Sequence, residues 1–145
     1  MAKSVNLQVI TPSKLFYEGD IELVITRTLT GEEGFMAGHS WACKLLDVGE
    51  LLIQEAGVKE FKTAAVSGGF IDVKKDIVIY TDAAEWAGDI DVERAHAAKE
   101  RDEEWLAENK DAEGVDAEIL ERTQVNLSAQ KIRLKVADGG SRKKK

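Results

Sequence analysis

Residues 88–98 read GDIDVERAHAA, and the chain changes alphabet across them. Upstream it is built from short β-branched and aromatic runs; downstream it is Ala, Glu, Lys and Arg with no β-branched alternation. Asp89 or Asp91 can cap a helix here, because a short carboxylate accepts from the free N–H groups of a first turn. Further acids suit the positive end of the helix dipole. The pattern predicts a first helix from Ile90 to about Asn109. KDAEGVD then interrupts, and Asp116 can cap a second helix running to about Ala137. In that helix Leu120, Leu127 and Leu134 recur on one stripe, with Ile119, Ile132 and Val136 near it. Two helices joined by a short loop make an antiparallel hairpin.

Working back from the same boundary, Val5, Leu7 and Val9 alternate with Asn6 and Gln8, and Ile21, Leu23 and Ile25 are expected on one face of DIELVIT. The runs SWACKLL, ELLIQEA, VKEFKTAAV and DIVIYTDA follow. Turn signals stand at Gly19-Asp20, Gly31 to Gly34, Val48-Gly49, Ala56-Gly57, Ser67 to Gly69 and Lys74 to Asp76. Turns every 8 to 12 residues or so are what an antiparallel sandwich or barrel produces. The expected architecture is β + α: an antiparallel β-sandwich over residues 1–86, a two-helix hairpin over 87–138 and a basic tail over 139–145.

The hairpin is thinly glued. Its first helix offers mainly Val92, Ala95, Ala98, Trp105 and Leu106, and alanines allow close approach while burying little apolar area. The ordering entropy of its residues opposes that modest gain, so the element is a candidate for two alternative packings.

Composition excludes several functions. With 43% hydrophobic and 32% charged residues the chain is globular in character. A net charge of −7 argues against nucleic acid as a partner, which would need a basic patch; the one basic cluster, Arg142 to Lys145, is a tail. A single cysteine, Cys43, excludes an internal disulfide framework, fits a reducing compartment and is expected as a small core residue of a strand. MAKSVNLQVI lacks the apolar stretch of a signal peptide, and no run approaches the roughly 20 apolar residues of a membrane span. Membrane association is expected only through partners.

Catalytic constellations are missing. There is no phosphate-cradling loop ending in Lys-Ser or Lys-Thr and no GxSxG. His39 and His96 stand alone with one cysteine, so neither a zinc site nor any other cofactor is expected. Cys43 with His39 is the only pair that resembles nucleophile and base. Ser67-Gly68-Gly69-Phe70 marks a tight turn or a close backbone approach. Asp91, Arg94, Ala98 and Arg101 can share one side of the first helix, either as a solvated ion-paired face or as a groove whose arginines meet an anion.

GEEGFMAGH at 31–39, LLDVGELLI at 45–53, AVSGGFIDVKKDIVIYTDAAEWAGDID at 65–91 and RAHAAKERDEEWL at 94–106, taken in order, resemble the epsilon subunit of bacterial F-type ATP synthases. The resemblance extends to about Ala137. It implies a non-catalytic rotor subunit of a proton- or sodium-translocating enzyme, peripheral at the cytoplasmic face of the membrane. In such subunits the sandwich is attached to gamma and rests on the c-ring. The hairpin either folds against the sandwich or extends along gamma into the alpha/beta head, where it restrains ATP hydrolysis. Glu32 matches the loop that approaches the c-ring and His39 a histidine just beyond it, with Phe35-Met36-Ala37 where a proline often occurs.

The nucleotide-binding members carry an IDxxRA motif, matched here by Ile90, Asp91, Arg94 and Ala95, with Glu85 upstream and Arg101 downstream. Of the arginines a turn apart on their second helix, Arg133 matches one, whereas Ala129 stands in the other's place. The resemblance therefore implies weak or absent ATP binding. If the hairpin extends, the tail residues Arg142, Lys143, Lys144 and Lys145 would reach the acidic segments of the head and contribute to inhibition. The rival readings are a free-standing nucleotide-sensing module and a small hydrolase using Cys43 and His39.

Overall fold

A computed structural model describes residues 3–109 and 113–138. Seven strands come first: β1 (Val5–Ile10), β2 (Leu15–Thr28), β3 (Gly31–Phe35), β4 (Ala42–Glu55), β5 (Phe61–Val73), β6 (Ile77–Tyr80) and β7 (Ala84–Trp86). A single 3-10 turn, Ala87–Asp89, leads into helices α1 (Val92–Asn109) and α2 (Ala117–Ala137). The strand order β1-β6-β5-β4-β2 closes on itself because β1 also pairs with β2, while β3 extends β2 and β7 extends β5. The result is a flattened, closed sandwich. Its pairings are antiparallel except for β1 with β6, which run parallel from Leu7↔Ile77 to Ile10↔Tyr80.

Several strands are longer than the turn signals suggest. Gly19-Asp20, Val48-Gly49 and Ser67 to Gly69 lie inside β2, β4 and β5. Glycine within a strand marks a bend or a close approach instead of a break. Long strands can then serve two neighbours: the first half of β5 pairs with β7 and its last residues with β6. Gly69 has φ +113, and a Cβ there would lie 1.8 Å from the Tyr80 carbonyl oxygen. Of the two readings of SGGF, the close approach is the one found.

Val5, Leu7 and Val9 face the core as their alternation predicts. Ile21, Leu23 and Ile25 do not share a face. A register shift between Ile21 and Leu23 turns the strand over, so Ile21, Val24 and Thr26 are buried inside while Leu23 and Ile25 are only half-buried. A bulge of this kind inserts one residue and breaks the period of two. Leu7, Val9, Phe35, Leu51, Ile53, Ile71 and Ile79 have no exposed surface. Each such side chain contributes about 1.5–3 kcal/mol, and this core carries the stability of the fold. Cys43 is exposed on β4, correcting the expectation of a core thiol.

The helices differ. Asp91 is the cap of α1, its Oδ1 accepting from the Arg94 N–H at 3.0 Å, and Asp116 caps α2 by accepting from Glu118 N–H at 2.9 Å. The first helix begins after Ile90, which stays extended and is buried against Ala65 and Val136. Apart from that seat the hairpin is lightly packed: α1 buries only Ala95 and α2 only Val136, while Leu120, Leu127 and Leu134 are half-buried. It is α2 that packs on β4, β5 and the 3-10 turn. Among the described residues no helix is long and apolar enough to cross a membrane.

Candidate functional site

The candidate residues gather where α2 crosses the end of β7. Glu85 projects from β7 toward Arg133 of α2, whose Nε donates to Oε1 at 2.8 Å and Nη2 to Oε2 at 3.2 Å. The same guanidinium donates through Nη1 to Gln130 Oε1 at 2.9 Å. Two parallel bonds from the planar fork to one carboxylate fix orientation as well as attraction, as an ammonium could not. Forty-eight residues separate the pair in sequence, so it fastens the hairpin to the sandwich.

Beside it a polar cleft of about 510 Å³ opens between the helices, lined by Arg94, Ala97, Ala98, Arg101, Gln130 and Arg133. Three guanidinium groups and no carboxylate face this space, so its field favours an anion. Arg94, Ala98 and Arg101 share the side of α1 that their spacing predicts. Asp91 does not line the cleft; its carboxylate is occupied at the helix cap. Ile90 lies in the apolar seat and Ala95 is the buried contact of α1, so both hold the element in place. Gln130 escaped the sequence reading; its only signal was its place three residues before Arg133.

Ala129 lines a different cleft. About 270 Å³ lies under α2 between Ala129, Val48, Ala65, Val66 and Ala84, with Glu85 and Arg133 at its edge. A second cleft of about 330 Å³ continues on the other side of Val48, toward Arg27, Asp47, Val125 and Ser128.

Glu32 and His39 belong to a separate surface. Glu32 is exposed on β3 opposite Arg27. His39 follows a turn closed by its N–H to the Met36 carbonyl at 3.1 Å. Its ring packs at 4.9 Å on Phe35, and its Nδ1 lies 2.7 Å from the Ser40 carbonyl oxygen. Trp41 beside it is 74% exposed, a large apolar side chain that the sequence reading did not single out. No bond joins His39 to Cys43, which leaves the nucleophile-and-base pair without geometry. Among the described residues no group of His, Cys, Asp and Glu could hold a metal ion. Arg142, Lys143, Lys144 and Lys145 lie outside the described residues.

Comparison with known proteins places this arrangement. Residues 4–87 match the family model described as the beta-sandwich domain of the ATP synthase delta/epsilon chain. The ATP synthase epsilon chain of Caldanaerobacter subterraneus is 39% identical over 139 residues, covering 94% of this chain and 96% of that one. That of Alkaliphilus metalliredigens is 41% identical over 111 residues, or 76% and 81% of the two chains. Among solved structures, a chain of the Euglena gracilis mitochondrial ATP synthase superposes with a TM-score of 0.73 at 22% identity, covering 88% of this chain and 78% of its own. A chain of the Tetrahymena thermophila enzyme's central stalk and c-ring gives 0.59 at 14% identity, covering 93% and 97%. At those identities the structural likeness speaks for the fold alone.

Proposed function

The chain belongs to the family of ATP synthase epsilon chains, non-catalytic subunits of the central stalk that couple gamma to the c-ring, and from that premise we propose that its hairpin is a detachable restraint on ATP hydrolysis. The sandwich, residues 1–86, is the rotor-bound body. It meets gamma and rests on the c-ring through the segment that carries Glu32 and His39. The hairpin, residues 87–138, leaves the sandwich, extends along gamma and enters the alpha/beta head, with the tail beyond it reaching furthest. The protein is peripheral at the cytoplasmic face and meets the membrane only through these partners.

The observation that carries this reading is the contrast in fastening. The sandwich has a closed ring of strands and a full core, whereas each helix buries a single residue. Helix α2 packs lightly on β4, β5 and the 3-10 turn, with Ala65 and Ile90 as its buried seat and, among the described residues, one ion pair to Glu85. An element held so lightly has a small free-energy gap between docked and released states, and a partner with differential affinity can choose between them. The test is removal of residues 87–145 in the assembled synthase. ATP hydrolysis should rise while the complex stays assembled; an unchanged rate with normal assembly refutes a restraining role. Deleting Ser141 to Lys145 alone should give part of that rise.

ATP itself is at best a weak ligand. The arginine cleft has the right charge, but Ala129 supplies no guanidinium and Arg133 is already engaged by Glu85. One missing charge-assisted contact costs about 1.5–3 kcal/mol, roughly ten- to a hundredfold in affinity. Calorimetric titration of the full chain with ATP should give no micromolar binding, and a micromolar dissociation constant would overturn this.

A further inference from the structure

The inner stripe of α2 is fastened at one end only. Val136 has no exposed surface and Ile132 is half-buried beside it, yet Val125, on the same side three turns earlier, is 52% exposed. Between these points the helix stands off the sheet over two clefts of about 270 and 330 Å³ that share Val48. The first is walled by small side chains, Ala65, Ala83 and Ala84 from the sandwich and Ala129 from the helix. A full-sized side chain at 129 would bridge that space; alanine leaves it open.

We propose that residue 129 sets the docked population of the hairpin, its missing bulk weakening the contact of α2 with the sandwich about two turns before Val136 and leaving the loop end of the hairpin free to lift. A gap in an interface forfeits dispersion contacts on both of its walls and keeps apolar surface wet. The deficit falls on the docked state alone, since release exposes the same walls to water in every case. The interface is therefore underfilled at the one place where filling it would lock the restraint down. This inference rests on the detachable hairpin proposed above, but its first readout does not.

In the full-length chain, Ala129→Leu should slow amide exchange across residues 125–136 about tenfold, because the added side chain exchanges water for the walls of the cleft. Ala129→Met guards against a branched side chain that does not fit, its flexible stem filling an irregular space. Gln124→Leu, which adds the same bulk at an exposed position lining none of these clefts, should leave exchange unchanged. Unchanged or faster exchange in both Ala129 variants overturns the proposal, as does equal slowing in Gln124→Leu. In the assembled synthase, Ala129→Leu should also raise ATP hydrolysis by holding the hairpin docked. Slowed exchange with unaltered hydrolysis supports the role of residue 129 and removes the restraining function instead.

Discussion

Breaking the Glu85–Arg133 pair offers the most direct measure of how the hairpin is held. The two side chains are 33% and 23% exposed, so the pair lies between a surface ion pair and a buried one. Removing one partner of a fully buried pair costs about 3–5 kcal/mol, and exposed pairs contribute about 0–1. Two well-made bonds at 2.8 and 3.2 Å, discounted for solvent screening, put Arg133→Ala near 1–2 kcal/mol. That is roughly a 5- to 30-fold shift in the opening equilibrium. It should appear in native-state amide exchange as faster exchange across residues 130–137, with the strands of the sandwich unaffected, because opening of the hairpin is a sub-global event. Glu85→Ala should do the same, and the double variant should cost less than the sum of the two singles. High salt should accelerate exchange in the intact protein and leave the double variant unmoved. Exchange at the original rate in both single variants would refute the fastening role and leave the apolar seat of Ala65, Ile90 and Val136 to account for docking alone.

Other perturbations address the rest of the chain. Gly69→Ala would place a Cβ 1.8 Å from the Tyr80 carbonyl in a backbone conformation with φ +113, and should lower the melting temperature by more than about 8 °C. Gly114→Ala, with φ +79 and nothing within 4 Å, should cost only about 1 kcal/mol. Asp91→Ala removes the cap of α1 and should cost about 1 kcal/mol of local helix stability, read as faster exchange in its first turn, with Asp91→Asn recovering most of it. Tyr17 is buried and donates to Glu55 at 2.7 Å; burial first and that hydrogen bond second raise its hydroxyl well above the usual phenol value. Past about pH 10 the unfolded chain gives up this proton while the folded one keeps it, so folding stability is full below that pH and falls above it. Urea midpoints at pH 9 and 11 should show that loss, and Tyr17→Phe should flatten it.

The sequence made the helices legible because their signals are local: Asp91 and Asp116 cap where short acids precede helix-forming runs, and both helix ends fall close to the expected residues. Strand boundaries were less legible, since glycine reads identically whether it ends a strand or bends one, and only the approach of Gly69 to Tyr80 distinguishes the cases. The Ile21–Leu23 bulge had no signal, because the apolar alternation runs straight through it. In the candidate site, Arg94 and Arg101 could be placed together by helical spacing. Arg133 and Glu85 meet only through the tertiary fold, and the side of α2 on which Ala129 falls depends on where α2 is seated.

The boundary at residues 86–90 has to satisfy two demands, and its residues divide them. Trp86 is tied to the body: its ring stacks on Phe16 at 4.4 Å, meets Tyr17 edge-on at 5.9 Å and has the Lys62 ammonium 5.9 Å from its centre. Tyr17 and Lys62 are in turn both held by Glu55. Ile90, four residues on, joins the two bodies, packing with Ala65 of β5 and Val136 of α2. The 3-10 turn between them has no fully buried residue, although Ala87 packs partly buried against that cluster, and it includes Gly88, beside which a Cβ would meet nothing within 4 Å. Rotation of the hairpin can be absorbed in Ala87–Asp89 once the contacts of Ala87 and Ile90 with Ala65 and α2 are given up, since a hinge needs only a few residues free to change φ and ψ. If the hinge lies there, release of the hairpin leaves the surroundings of Trp86 unchanged while those of Trp105 change. In a Trp41→Phe background, fluorescence of the Trp105→Phe and Trp86→Phe variants, each left with one tryptophan, separates the two in free and assembled protein, and a shift of Trp86 emission on release would move the hinge into β7.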